Sequence, residues 1–251
     1  MKHHAKKKWG QNFLVDPNLL NKIIRTIKPK KIDNILEIGP GEGALTEMLL
    51  PSVNNISAIE IDPILVEHLL SNKILKESQV LQGDVLSKDL AKLSIEKPIK
   101  IVGNIPYNIT SPILFWLIEQ REHWFEAYLM VQKEVADRLV ARIGTKSYGR
   151  LTVMAGVFLD IVKCFNIPPE VFRPQPKVDS AFIKIVSKKT PIVDEEKFNQ
   201  FENIVKAAFS KRRKMLQNSL KSFDIAQTVR EKIDFTRRPE TLSVAEFAEL
   251  V

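Results

Sequence analysis

Apolar side chains along this 251-residue chain recur at two periods that take turns. Leu19, Leu20, Ile23, Ile24 and Ile27 keep the spacing of one helix face, behind an Asp16-Pro17 start in which the acid caps and the proline fills the first turn. Beyond it, apolar runs at Asn34 to Ile38, Ile56 to Ile61, Ile99 to Val102 and Ala127 to Val131 predict strands, with a further one closing at Gly83-Asp84. Helical segments near 43 to 50, 63 to 72, 110 to 119 and 132 to 143 lie between or after them. Strands alternating with helices predict an α/β fold: a doubly wound, mostly parallel sheet with helices on both faces.

Phe165 to Pro169 and the alternating run Ser180 to Val186 predict two later strands, joined as an antiparallel edge. Past Val186 the pattern changes. Lys188-Lys189-Thr190-Pro191 reads as a linker, and the remainder of the chain is helical in pattern. The expected division is a sheet domain over residues 1–187, carrying a basic N-terminal arm, and a small helical domain over 188–251.

Composition adds limits. With 44% hydrophobic residues the chain can bury a core, yet no apolar run approaches 18 residues and no apolar signal segment comes after the start. A cytoplasmic protein away from membranes is expected, with a monomer as the default. One cysteine excludes an internal disulfide, and the four histidines never join it at metal-ligand spacing, so no metal site is expected. Cys164 reads as a small buried hydrophobe, and Trp9, Trp116 and Trp124 as core residues. The net charge of +8 suggests a polyanionic partner. Residues 1–30 hold eight basic side chains, Lys6, Lys7 and Lys8 among them, against the single acid Asp16. Such an arm is either a solvated terminus or a phosphate contact.

The candidate chemistry sits at strand ends. Glu37-Ile38-Gly39-Pro40-Gly41-Glu42-Gly43 succeeds the first strand of the alternation and opens a helix, a place where backbone can approach a nucleotide-like cofactor. About 20 residues on, Glu60-Ile61-Asp62 ends the next strand with an acid placed to accept from ribose hydroxyls. With Ala44 the loop also satisfies G-x-G-x-x-A, so an NAD-dependent oxidoreductase and an S-adenosylmethionine enzyme both remain open at this point. Asp84 can accept a hydrogen bond from an adenine amine. More specific is Gly103-Asn104-Ile105-Pro106-Tyr107 at the carboxyl edge of the sheet, which sets an amide beside a rigid proline and an aromatic ring. The Asn104 oxygen and the main-chain oxygen of Ile105 can accept the two hydrogens of an adenine N6 and aim its delocalised lone pair, while Tyr107 stacks on the base.

These residues resemble the adenine-N6 ribosomal RNA dimethyltransferases, and within them the 16S ribosomal RNA branch. The resemblance rests on Gln11-Asn12-Phe13-Leu14, Glu37 to Thr46, Glu60-Ile61-Asp62, Gly83-Asp84, NIPYNITSPIL from Asn104, QKEVADRL from Gln132, Tyr148 to Leu151, FRPQPKVDS from Phe172 and FSKRRKMLQN from Phe209. It implies a class I, Rossmann-like methyltransferase that uses S-adenosyl-L-methionine and releases S-adenosyl-L-homocysteine. It implies a cofactor site of Gln11, Asn12, Leu14, Gly39, Gly41, Glu60, Ile61, Asp84, Val85 and Asn104. Asn104, Ile105, Pro106 and Tyr107 would hold the target adenine, with Phe172 as a second stacking wall for a flipped base. Lys6, Lys7, Lys8, Lys211, Arg212 and Arg213 would contact RNA phosphates. The implied reaction dimethylates two adjacent adenosines in a hairpin near the 3′ end of 16S rRNA, in the small ribosomal subunit or its precursor. Ile105 replaces a frequent leucine, and Glu42 adds an acid to the loop. Two alternatives share the fold: a large-subunit methylase of the macrolide-resistance type, and a non-catalytic ribosome assembly factor.

Overall fold

The computed structural model describes residue 6 and residues 9–251. Lys7 and Lys8, two of the expected RNA contacts, lie outside these described residues. The chain forms two compact units, one from the residues up to Ala136 with Val162–Ser187, the other from Asp137–Ile161 with Lys188–Val251.

In the first unit, β1 (Phe13–Leu14) precedes α1 (Pro17–Ile27), whose start is the one the sequence predicts. The Asp16 carboxylate accepts from the Leu19 amide at 2.7 Å, Pro17 fills the first turn, and the helix ends at Lys28 with φ +50°. β2 (Asn34–Ile38), α2 (Ala44–Leu49), β3 (Asn55–Glu60), α3 (Pro63–Ser71), β4 (Val80–Gln82), β5 (Ile99–Asn104), α4 (Thr110–Glu119) and β6 (Trp124–Gln132) then alternate, and α5 (Lys133–Leu139) comes next. α5 is shorter than the expected 132–143, and β3 begins and ends one residue earlier than predicted.

The main sheet has the order β4-β3-β2-β5-β6-β9-β7, parallel from β4 through β6. β7 (Leu159–Ile167) and β9 (Ser180–Ser187) are the two later strands, and β9 runs antiparallel to β6. β7 begins six residues ahead of the predicted start at Phe165, because its polar and half-buried positions hide the strand from a hydrophobic pattern. The sequence also gives no sign of a separate two-stranded pairing between β1 and β8 (Phe172–Arg173), which is too short to show a period. All five residues of β2 are buried, so both sheet faces are covered. On one face Leu20, Ile23 and Ile27 of α1 and Leu45 and Leu49 of α2 pack with Ile35, Ala58, Val102 and Met130.

The second unit holds α6 (Arg150–Phe158), α7 (Glu195–Ser210), α8 (Leu216–Ser219), α9 (Gln227–Lys232) and α10 (Val244–Ala248). Its longer stretch begins at Lys188. The segment 137–161, assigned by sequence to the sheet domain, groups instead with the tail. The reason is the apolar surface of α6: Phe158 meets Phe198 of α7 edge-on at 5.0 Å, and a Cβ at Gly156 would lie 3.0 Å from Val244 of α10. Tyr148 adds a hydrogen bond from its hydroxyl to the Leu242 carbonyl at 2.7 Å. No helix among the described residues is long and apolar enough to cross a membrane.

One buried cation interrupts the apolar run of β5. Lys100 is 4% exposed and its ammonium lies 2.7 Å from Asp33 and 3.7 Å from Glu126, which in turn pairs with Lys184 at 2.5 Å. Removing one member of a buried pair strands the other in a medium that cannot solvate it. Asp33→Ala is therefore expected to lower unfolding stability by about 3 kcal/mol, and Asp33→Leu with Lys100→Met to recover most of that loss. Midpoints of urea unfolding measure both.

Candidate active site

A cleft open to solvent lies at the carboxyl ends of β2, β3, β4 and β5. It is lined by the ends of all four strands and by residues 9–14. Strand register builds it. Ile38 stands beside Ile59 on one side and Gly103 on the other, and Glu60 beside Gln82, so the segments leaving these strands emerge at one level. A Cβ at Gly103 would lie 2.7 Å from the Ile38 carbonyl oxygen, so β5 can pass β2 this closely only without a side chain. Asn104 is the next residue.

Gly39, Gly41 and Gly43 all take positive φ, and a Cβ at Gly41 would press on the Phe13 ring at 3.0 Å. Glu60, 4% exposed, ties this loop down: its Oε2 accepts from the Gly41 amide at 3.2 Å and its Oε1 from the Asp62 amide at 2.9 Å. Burial raises the Glu60 carboxyl above its ordinary value, opposed by those two amides. Glu37 is 2% exposed, and the Thr46 hydroxyl donates to it at 2.6 Å. Its carboxyl is pushed up to about 7, first by burial and further by the nearby charge of Glu60, with the Thr46 bond opposing.

Asp62 is turned elsewhere. It caps α3 through the Ile64 amide at 3.0 Å and accepts from Lys6 at 2.9 Å and Gln11 at 3.2 Å. Burial alone would raise its carboxyl, but the Lys6 ammonium and the donors from Ile64 and Gln11 outweigh it and hold the group below the usual range. Glu60 lines the cleft and Asp62 does not.

The Asn104 amide nitrogen donates to the Asn12 carbonyl at 2.7 Å. That bond commits the nitrogen and leaves the oxygen for the acceptor role. The Tyr107 hydroxyl is 2.5 Å from Ser180 Oγ, a fully buried residue at the start of β9, which fixes the lie of the ring.

The cleft brings together every expected cofactor residue, Gln11, Asn12, Leu14, Gly39, Gly41, Glu60, Ile61, Asp84, Val85 and Asn104, together with Ile105, Pro106 and Tyr107. Phe172 is not among them. Its ring is 1% exposed and packs in the core, paired with Leu14 across β1 and β8, so it offers no second wall in this arrangement. Lys6 is engaged with Asp62 and lies 4.6 Å over the Trp9 ring, and Arg212 donates to the carbonyls of Thr145 at 3.0 Å and Lys146 at 2.6 Å. Lys211 and Arg213 are exposed. Trp9, expected in the core, lines the cleft instead, and Cys164 is only partly buried. Glu37 drew no part from the sequence, although an acid in an otherwise apolar strand was the available signal. Ser180 and the Asn12 carbonyl gave none.

The model of a family described as Ribosomal RNA adenine dimethylase matches residues 2–251. The chain belongs to that family. It is an S-adenosylmethionine-dependent rRNA adenine dimethyltransferase with a class I methyltransferase fold. It is 44% identical over 247 residues to the ribosomal RNA small subunit methyltransferase A of Prosthecochloris aestuarii, covering 98% of this chain and 92% of that one. The protein of the same name from Legionella pneumophila (strain Lens) is 40% identical, with 100% and 98% covered. Among solved structures, a dimethyladenosine transferase from Plasmodium falciparum superposes with a TM-score of 0.80 at 29% identity, covering 95% of each chain. The 23S rRNA methyltransferase ErmE gives 0.71 at 26%, with 95% and 98% covered. The cleft fits the family's cofactor. Gly39 and Gly41 bring bare backbone at positive φ to the cleft, Glu60 offers a buried carboxyl, and Ile61, 41% exposed, offers an apolar face.

Glu37 supplies a pH test. It keeps its proton to about pH 7 in the folded chain against 4.5 ordinarily, so folding takes up a proton between these values. Its contribution to stability is therefore full below 4.5 and is lost as pH rises toward 7. Glu37→Gln should show a flatter decline of Tm than the parent over that window. Parallel Tm profiles would mean that Glu37 is ionised when folded.

Proposed function

We propose that the enzyme transfers methyl groups to the N6 amines of two adjacent adenosines in a hairpin near the 3′ end of 16S rRNA, within the small ribosomal subunit or its precursor. The observation that carries this is the Asn104 amide, held by Asn12 with its oxygen left to accept, beside a tethered Tyr107 in the lining of the cleft. The small-subunit target draws support from the names of relatives 40–44% identical over nearly the whole chain, against 26% for the 23S enzyme.

Bound S-adenosylmethionine supplies an electrophilic methyl on a positively charged sulfur. Glu60 would hold its ribose hydroxyls and Asp84 its adenine amine, with Ile61 and Val85 as apolar faces for the ring, the Gly39–Gly41 backbone for the methionine part, and Gln11, Asn12 and Leu14 on the remaining side. Asn104 Oδ1 and the Ile105 carbonyl accept the two hydrogens of the target N6, which aims its lone pair along the line of attack. Pro106 keeps the turn rigid, and Tyr107 stacks on the extruded base, an interaction worth on the order of 1–3 kcal/mol. No general base is needed, because the methylated amine sheds its proton readily to water. Lys211 and Arg213 are the exposed cations suited to phosphates, and the chain acts as a cytoplasmic monomer.

Asn104→Ala is expected to lower kcat by about 100-fold or more while leaving RNA affinity unchanged; filter binding and single-turnover assays separate the two. The substrate is tested by transfer of labelled methyl to small subunits that lack the modification, beside large subunits and free rRNA, with nucleoside analysis. Dimethyladenosine on small subunits alone is the expected result. Transfer to large subunits would favour the macrolide-resistance type, and cofactor binding without any transfer would favour a non-catalytic assembly factor.

A further inference from the structure

Asp62 carries more hydrogen bonds than a helix cap requires. Capping α3 uses one acceptor bond, from the Ile64 amide, and an exposed Ser, Thr or Asn would serve as well. Here the side chain is fully buried, and it receives Lys6 on the same oxygen as Ile64 and Gln11 on the other. Gln11 is fixed at both ends, because its Oε1 accepts from the Lys6 backbone amide at 2.7 Å. The next residue, Asn12, gives its carbonyl to the Asn104 amide. A continuous set of links thus runs from the start of α3, through the segment that lines one side of the cleft, to the amide that meets the target amine.

The two ends of a carboxamide are nearly the same size, and only the partner of one end decides which atom the other presents. If the Asn12 carbonyl moves, the bond that commits the Asn104 nitrogen is lost, and the carboxamide is able to turn over and offer N–H to the N6 hydrogens. We infer that Asp62 is a positioning residue for methyl transfer: through Gln11 and Asn12 it seats residues 9–14 at the cleft and sets which way the Asn104 carboxamide faces. This rests on the reading of Asn104 as the group that holds the target amine.

Asp62→Asn isolates the effect. It keeps the cap, since asparagine caps as well as aspartate, but it turns the oxygen that receives Gln11 into an NH2 group facing another NH2. The expected result is a kcat lower by about 10- to 100-fold, with KM for RNA unchanged and faster amide hydrogen exchange confined to residues 9–14. A purely structural role would lower Tm without splitting kcat from KM. Lys6→Met, at a partly exposed side chain, should move kcat and exchange in the same direction by less, and decides the matter if the Asp62→Asn variant does not fold. Wild-type kcat in a folded Asp62→Asn chain, or reduced kcat with residues 9–14 still protected, overturns the inference alone. A wild-type chain that transfers no methyl to any RNA overturns the reading of Asn104, and the inference with it.

Discussion

The register of three parallel strands holds the rest of the site in place. β3, β2 and β5 pair so that Ile59, Ile38 and Gly103 stand side by side, and each strand releases its functional residues within one or two positions of that line. The glycine loop, Glu60 and Asn104 are therefore neighbours through main-chain pairing, to which the Glu60–Gly41 hydrogen bond is added. Because strand side chains alternate in direction, a slip of one residue in β5 would send Asn104 to the opposite face of the sheet. Gly103 guards against such a slip, since the Ile38 carbonyl leaves no room for a side chain at that position.

Three acids crowd this strand edge, and the structure handles each differently. Glu60 is held by main-chain amides, Asp62 by a lysine and a glutamine, and Glu37 by one threonine hydroxyl with its carboxyl pushed up to about 7. A neutral Glu37 relieves the repulsion that a second buried carboxylate would exert on Glu60. The arrangement sets the Glu60 carboxyl where the ribose of the cofactor is proposed to lie and reduces negative charge one strand away, at Glu37. Basic residues are divided in a similar way. Lys6, Lys100 and Arg212 are used inside the protein, so the net charge of +8 overstates what is available to an RNA backbone.

Much of this was legible in the residues themselves. The Asp16-Pro17 cap, the alternation of strands and helices, and the glycine loop each depend on neighbours within a few positions, and there the physics is local. The Asn104 to Tyr107 block and the stretches that resemble the family named the reaction. Their chemistry needs a fixed order of residue types that a chain shows directly.

What the tertiary structure decided are the pairings between distant positions. No spacing in the chain announces that Asn104 leans on the carbonyl of Asn12, or Tyr107 on Ser180, because these contacts join segments 92 and 73 residues apart. The same holds for Phe172, whose aromatic character suits a base platform but whose short pairing with β1 carries it into the core. It holds also for the segment 137–161, whose apolar helix fits a sheet domain by pattern and is buried by the tail instead. Sequence determines which groups are present and which local elements they form. Which partner a side chain meets depends on how those elements pack, since burial and hydrogen bonding are satisfied by whatever the fold brings within reach.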